Sequence, residues 1–178
     1  MFQPRGRLLA PGFIDTQVNG GGGVLFNDRP EPEAIAIIGR AHRRYGTTGF
    51  LPTLISDRPQ TMARAIDATR EAIATVPGVL GIHLEGPYLN LERKGIHPAA
   101  SLRVPEKDAF SLLTGLGQAG CTLVTLAPER VPPGFIRQLS EAGVLVAAGH
   151  TAARYEQVRE ALGQGLRALP ICSTRCRR

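Results

Sequence analysis

Short apolar segments alternate with longer amphipathic segments along this chain, and this alternation restricts the fold more than any other feature. Parallel strands need a long connection, usually a helix, so repeated strand–helix units predict a parallel sheet covered by helices. We predict strands at 8–18, 49–55, 79–85, 121–127, 144–148 and 166–171. We predict helices at 31–45, 58–74, 106–119, 133–142 and 154–162.

The polar residues of the predicted strands lie at the strands' carboxyl ends. They occupy 15–19, Glu85, Glu129 and His150. A doubly wound sheet and a (β/α)8 TIM-type barrel both fit the alternation, but in a barrel all these ends open onto one face, where active sites are built. The distribution therefore favours a barrel.

The chain is shorter than a complete barrel, which takes about 250 residues and eight units. Its 178 residues contain about five to six units. We therefore expect a partial barrel over residues 1–168, in the α/β class.

Composition limits the classes of partner. The chain is 43% hydrophobic and 20% charged, which suits a packed core. It has neither a run of about 20 apolar residues nor an apolar leader, so we expect a cytoplasmic protein without a membrane partner. The net charge of +6 suits an anionic ligand. We expect no nucleic-acid partner, because basic and aromatic residues do not alternate.

The first candidate site segment, 11–23, ends in four glycines that allow a tight loop with positive φ angles. Gln17 and Asn19 lie two residues apart on a strand and so point to one face. Many barrel hydrolases carry a metal-binding His-x-His here, and neutral amides are poor ligands for a zinc-type ion. Two interpretations stay open: ordinary polar strand-end residues, or substrate contacts.

The second segment, 81–90, places His83 and Glu85 on one face of a strand, and Ile82 and Leu84 on the other. A carboxylate at a strand end is a plausible ligand for a divalent metal, although an ion-paired glutamate is the ordinary alternative. We expect His83 to be a hydrogen-bonded interior residue or a partner of a ligand.

The third segment, 144–151, is an apolar strand that delivers His150 to its carboxyl end. Glu85 on the same barrel face raises the case for a shared metal. Thr151 is positioned to cap the next helix. For Glu129 we expect a structural role rather than a role in the site.

Together these segments resemble the N-acetylglucosamine-6-phosphate deacetylase family of the amidohydrolase superfamily. The resemblance covers residue 8 to about 168, and its most specific part is the block His-Leu-Glu-Gly-Pro followed by Arg-Lys-Gly-Ile-His. The matching segments, in family order, are 9–15, 19–23, 46–54, 83–87, 93–97, 124–129 and 148–152.

The resemblance implies roles for particular residues. Glu85 and His150 match ligands of one divalent metal, zinc or iron. His97 matches a substrate-contacting histidine. The resemblance implies substrate contacts for Ile96, Gln17 and Asn19 as well. The implied reaction hydrolyses N-acetylglucosamine 6-phosphate to glucosamine 6-phosphate and acetate. The implied partners are this phosphorylated amino sugar and, in the intact family, a second copy of the protein.

The chain also departs from the family. The family's third ligand histidine, a phosphate-contacting arginine, another substrate histidine and the catalytic aspartate follow the point where the match stops, so we expect no catalytic residue here. Of the family's small β-domain only a stub before residue 8 is expected. Two alternatives therefore stay open: a catalytically inactive fragment of that enzyme, or another amidohydrolase such as a dihydroorotase-like enzyme.

Residues 169–178 also depart from the family, which continues Thr-His-Leu-Phe-Asn-Ala-Met-Pro. One set of permitted codons for this tail, chosen to fit and read from the last base of the Leu169 codon, encodes Thr-His-Leu-Phe-Asn-Ala-Met-Pro-Pro. We therefore expect a frameshift close to Leu169 and an out-of-frame tail over 169–178. Gene sequencing tests this: bases that cannot encode Thr-His-Leu-Phe in another frame contradict it.

Overall fold

The computed structural model describes residues 10–169, which form alternating strands and helices. The strands are β1 Phe13–Val18, β2 Gly20–Gly21, β3 Val24–Leu25, β4 Thr47–Ile55, β5 Gly81–Glu85, β6 Cys121–Leu126, β7 Leu145–Ala148 and β8 Leu166–Ala168. The helices are α1 Pro32–Arg43, α2 Pro59–Thr75, α3 Ala109–Leu113, α4 Phe135–Glu141 and α5 Tyr155–Gly163. Short 3-10 turns occupy Leu91–Arg93, Ala99–Ser101, Gly117–Ala119 and Pro128–Arg130.

The main sheet has six strands in the order β1-β4-β5-β6-β7-β8, and every pair is parallel. Each new strand is added on the same side of the last. A doubly wound sheet would instead reverse its strand order at a switch point. The partial barrel predicted from the sequence is therefore confirmed. Strands β2 and β3 form a separate antiparallel hairpin within the glycine segment, where Gly22 and Gly23 have φ angles of 62° and 82°.

The two faces of the sheet bury different residues. Ile82, Leu84 and Val124 pack in the large core with residues of the helices. The opposite face carries a small apolar cluster of Leu51, Leu123 and Ala147. Because side chains alternate along a strand, His83 and Glu85 share this second face, as predicted.

The third predicted helix, 106–119, is wrong in extent. The α-helix covers only Ala109–Leu113, and a 3-10 turn follows at Gly117–Ala119. Gly115 lies between the two, and Gly117 has a φ angle of 59°, outside the right-handed helical range. Glycines at both positions end the helix early. The first strand is also shorter than predicted, since it begins at Phe13.

Two predictions concern parts of the chain outside residues 10–169. They are the β-domain stub before residue 8 and, from residue 170 onward, the out-of-frame tail, and both stay predictions. Among the helices of the described part, none is both long and apolar enough to cross a membrane.

Candidate metal centre

Glu85, His97 and His150 converge at the carboxyl edge of the sheet. Glu85 is the last residue of β5, and His150 lies two residues beyond the end of β7. His97 comes from the long loop after β5. One ligand atom from each side chain lies within 4.8 Å of the other two. The side chains of Glu85 and His97 are buried, and that of His150 is 14% exposed.

The parallel register explains why Glu85 and His150 meet. Glu85 pairs with Thr125 on β6, and Thr125 pairs with Ala147 on β7, so the ends of β5 and β7 are level. Beyond β7, the Gly149 N–H donates to the Leu126 carbonyl at 3.1 Å and the backbone turns. His150 then adopts a φ of 50°. A non-glycine residue seldom takes this left-handed conformation, and such strain clusters at functional sites.

The proton of His150 can be located from its partners. Nδ1 lies 2.9 Å from the backbone carbonyl of Arg93, which can only accept, so Nδ1 carries the proton and donates. In the neutral imidazole, Nε2 therefore has a free lone pair. Nε2 lies 2.9 Å from Oε1 of Glu85, which is also an acceptor. Two acceptors at this distance require a proton or a metal cation between them.

The close contact between Glu85 and His150 shifts the pKa of both side chains. The hydrogen bond with Glu85 raises the pKa of His150 against the effect of burial. Burial raises the pKa of Glu85, but the hydrogen bond with His150 and the nearby imidazole of His97 outweigh burial and lower this pKa to about 2. Glu85 is therefore an ionised carboxylate that attracts a cation.

Gln17 orients this carboxylate from the other side. Its Nε2 donates to Oε2 of Glu85 at 3.2 Å, so Oε1 is the oxygen that faces His150. Asn19 behaves differently: within residues 10–169 its side chain forms no hydrogen bond with Glu85, His97 or His150. Ile96 precedes His97 in the loop and is 83% exposed. Of the predicted substrate contacts, the structure therefore brings Gln17 and His97 against Glu85.

His97 approaches the pair with its other nitrogen turned away. Nε2 lies 3.8 Å from Oε1 of Glu85, too long for a direct hydrogen bond. Nδ1 faces Ser56, at 2.7 Å from its Oγ and 3.3 Å from its backbone N. The His97 and His150 rings meet edge to face, with centroids 4.6 Å apart.

His83 lies below Glu85 on the same strand and is fully buried. Its Nδ1 donates to the Thr16 carbonyl at 2.9 Å, and its Nε2 accepts from the Thr125 hydroxyl at 2.8 Å. Burial lowers the pKa of His83 to about 4, against the opposite effects of Glu85 and the Thr16 carbonyl. The predicted hydrogen-bonded interior residue is confirmed.

Glu129 joins the loops that carry the site. Its carboxylate accepts hydrogen bonds from Asn90 Nδ2 at 3.0 Å, from the Ala152 N–H at 2.7 Å and from the Thr151 hydroxyl. The role is structural, as expected. Thr151 does not cap the next helix, because α5 begins only at Tyr155, with Arg154 at the N-cap position. Its hydroxyl is used by Glu129 instead.

Replacing Glu129 with alanine should leave these three donors without their acceptor. These donors are part-buried or exposed, so water replaces some of the lost hydrogen bonds, and we expect a loss of about 1 kcal/mol in the free energy of unfolding, measured by denaturant titration. Glu141→Ala, at an exposed position of α4, is the matched control and should stay within about 0.5 kcal/mol of the parent. Equal stability of the two variants would contradict the role of Glu129.

Sequence reasoning missed two groups of this site. Ser56 directly follows the last residue of β4, so the rule that directed attention to polar residues at strand ends also applies to it. The Arg93 carbonyl had no such signal, because a backbone group is identical at every residue and only the folded loop brings it to His150.

Comparison with known proteins identifies the family of the chain. Residues 8–168 match the model of the amidohydrolase family. The chain is 45% identical, over 88% of its length, to an N-acetylgalactosamine-6-phosphate deacetylase of Shewanella sp. (strain ANA-3). It is 39% identical, over 90% of its length, to the N-acetylglucosamine-6-phosphate deacetylase of Homo sapiens.

The solved structures agree as well. The N-acetylglucosamine-6-phosphate deacetylase of Pasteurella multocida superposes with a TM-score of 0.83 at 33% identity, over 93% of this chain and 46% of that one. The chain spans 40% and 41% of the length of the Shewanella and human relatives. Since the family match covers nearly all of the described residues, the chain belongs to the amidohydrolase family.

Proposed function

We propose that this chain forms the metal-binding part of a deacetylase that hydrolyses the acetamide of an N-acetylated hexosamine 6-phosphate. One observation carries the proposal: Oε1 of Glu85 lies 2.9 Å from Nε2 of His150, whose other ring nitrogen donates to the Arg93 carbonyl, so a proton or a cation must join the two atoms. Both relatives named above are deacetylases of such sugars, which favours this reaction over a dihydroorotase-like one.

The donor set fits a divalent cation. Nδ1 of His150 donates to a backbone carbonyl, and this is the arrangement that usually fixes the tautomer and orientation of a metal-binding histidine. One carboxylate and one imidazole suit zinc or iron, the metals expected from the resemblance. When bound, a divalent cation polarises a carbonyl oxygen and activates water for attack.

The other residues of the site bind and orient in this proposal. Gln17 holds the carboxylate of Glu85 in place through its oxygen Oε2. His97, beside the carboxylate, contacts the sugar. Ile96 is exposed on the same loop and Asn19 lies on the glycine segment, and we propose that both add substrate contacts.

The sugar is either the glucosamine or the galactosamine derivative. The sequence predicted N-acetylglucosamine 6-phosphate. The Shewanella relative, 45% identical, is named for the galactosamine compound, which makes this second sugar an equal candidate. The two differ only in the configuration of one hydroxyl, so both belong in the assay.

Two measurements test the proposal. Zinc or ferrous iron is added to the purified chain, and bound metal is counted after dialysis, with and without a chelator. Acetate release from the two sugar phosphates is then followed. We expect one chelator-sensitive metal ion per chain.

The outcomes separate the alternatives. Acetate release that disappears with the metal supports a deacetylase. Metal binding without acetate release supports the inactive-fragment alternative. A chain that binds no metal overturns the proposal, because Glu85 and His150 then hold only a proton.

A further inference from the structure

We infer that Ser56 positions His97 as a hydrogen-bond donor, with the proton on Nε2 facing Glu85 and the substrate. Ser56 thereby keeps His97 from acting as a third metal ligand. The inference deepens the proposed function and rests on it for the identity of the ligand. It does not rest on it for the position of the proton.

The proton follows from the two contacts of Nδ1. The backbone N–H of Ser56 points at Nδ1 with an N–N distance of 3.3 Å. A backbone N–H can only donate, so a proton on Nδ1 would face another proton. The Ser56 hydroxyl, 2.7 Å away, is free to donate to the same nitrogen. Nδ1 is therefore the acceptor, and the proton of the neutral ring lies on Nε2.

His150 provides the contrast within the same site. Its Nδ1 faces the Arg93 carbonyl and must carry the proton, which leaves Nε2 free to bind a cation. The two rings touch and both present Nε2 to Oε1 of Glu85. The backbone partner of His150 is an acceptor and that of His97 is a donor. His150 therefore presents an unprotonated Nε2 that can bind a cation, and His97 presents a protonated Nε2 that can donate. A donor beside a metal centre suits the oxygen atoms of a sugar or an acetamide.

The surroundings hold Ser56 in place. Ser56 is 3% exposed, directly after β4. Gly86 packs against it: a Cβ built on Gly86 would approach the Ser56 Oγ to 2.2 Å, and its φ of 86° also favours glycine. The serine hydroxyl thus occupies space that a side chain at residue 86 would need. Ser56 has little freedom to turn away from His97.

Nitrogen NMR of the isotope-labelled chain tests the position of the proton directly, without metal or substrate. The chain has four histidines, and His97→Asn identifies the signals of residue 97. At a pH of about 8, above the ordinary histidine pKa, Nδ1 of His97 should resonate in the unprotonated range. Nδ1 of His150 should resonate in the protonated range. A protonated Nδ1 on His97 would overturn the inference.

Variants of Ser56 test the role of its hydroxyl. In Ser56→Ala the backbone N–H still keeps Nδ1 unprotonated, but the shorter hydrogen bond from the hydroxyl is lost, so the Nδ1 signal of His97 should stay in the unprotonated range and move further away from the protonated range. Calorimetric titration with N-acetylglucosamine 6-phosphate on the metal-loaded chain should show roughly fivefold weaker binding, the effect of one hydrogen bond. Ser56→Thr keeps the hydroxyl and should restore both values.

Thr69→Ala is the matched control. It also removes a buried hydroxyl, but one that donates to Ala65 within its own helix. Neither the His97 signal nor the binding of the sugar phosphate should change. A Ser56→Ala chain with an unshifted His97 signal would contradict the inference. A parent chain with the expected signals that binds no sugar phosphate would instead overturn the proposed function and leave the Ser56–His97 assignment standing.

Discussion

Glu85→Gln should weaken zinc binding by more than about 100-fold, since the loss of even an outer partner of a ligand costs about 10- to 100-fold. The substitution keeps the size of the side chain and the neighbourhood of Gln17. It removes the negative charge of the carboxylate whose Oε1 lies 2.9 Å from Nε2 of His150. Competition with a chromogenic chelator measures the affinity, and circular dichroism verifies that the variant is folded.

Glu141→Gln gives the matched comparison, because it removes a carboxylate from an exposed helix position and should leave the zinc affinity unchanged. A Glu85→Gln chain that binds zinc like the parent would contradict the assignment of the metal centre. The same titration on His150→Gln should show a loss of the same order, because each side chain supplies one of the two ligands.

Gly81→Ala should destabilise the fold by more than about 4 kcal/mol. Single substitutions cause losses this large only through a few mechanisms, which include severe overpacking and backbone strain. Gly81 is the first residue of β5 and lies directly opposite Cys121 on β6. A Cβ at Gly81 would come within 1.8 Å of the Cys121 carbonyl oxygen. Backbone atoms cannot swing aside like a long side chain, so the two strands would have to separate. Denaturant unfolding, or the yield of folded chain if the loss is complete, measures this effect.

Gly163→Ala makes the same chemical change where there is room. Gly163 is the last residue of α5, and a Cβ there meets no atom within 4 Å. Alanine favours helix over glycine, so we expect unchanged stability or a gain of up to about 1 kcal/mol. If both variants lost stability equally, the close approach of β5 and β6 could not be the cause.

The sequence by itself determined the class of fold and the two main residues of the site. Alternating strands and helices predicted parallel strands, and polar residues at strand ends predicted which edge would carry the chemistry. Glu85 and His150 could be found this way because their positions depend on strand period and strand end. Both are local properties of the chain.

Tertiary structure decided how these side chains act. The proton of His150 is placed by a carbonyl 57 positions away in the chain, and that of His97 by an amide 41 positions away. Neither backbone group has any signature in the sequence, since every residue other than proline carries both. Whether a ring nitrogen donates or accepts a hydrogen bond depends on which backbone group the folded loops place beside it. This is why the sequence located the imidazoles, whereas only the packed loops decided which nitrogen of each ring carries the proton.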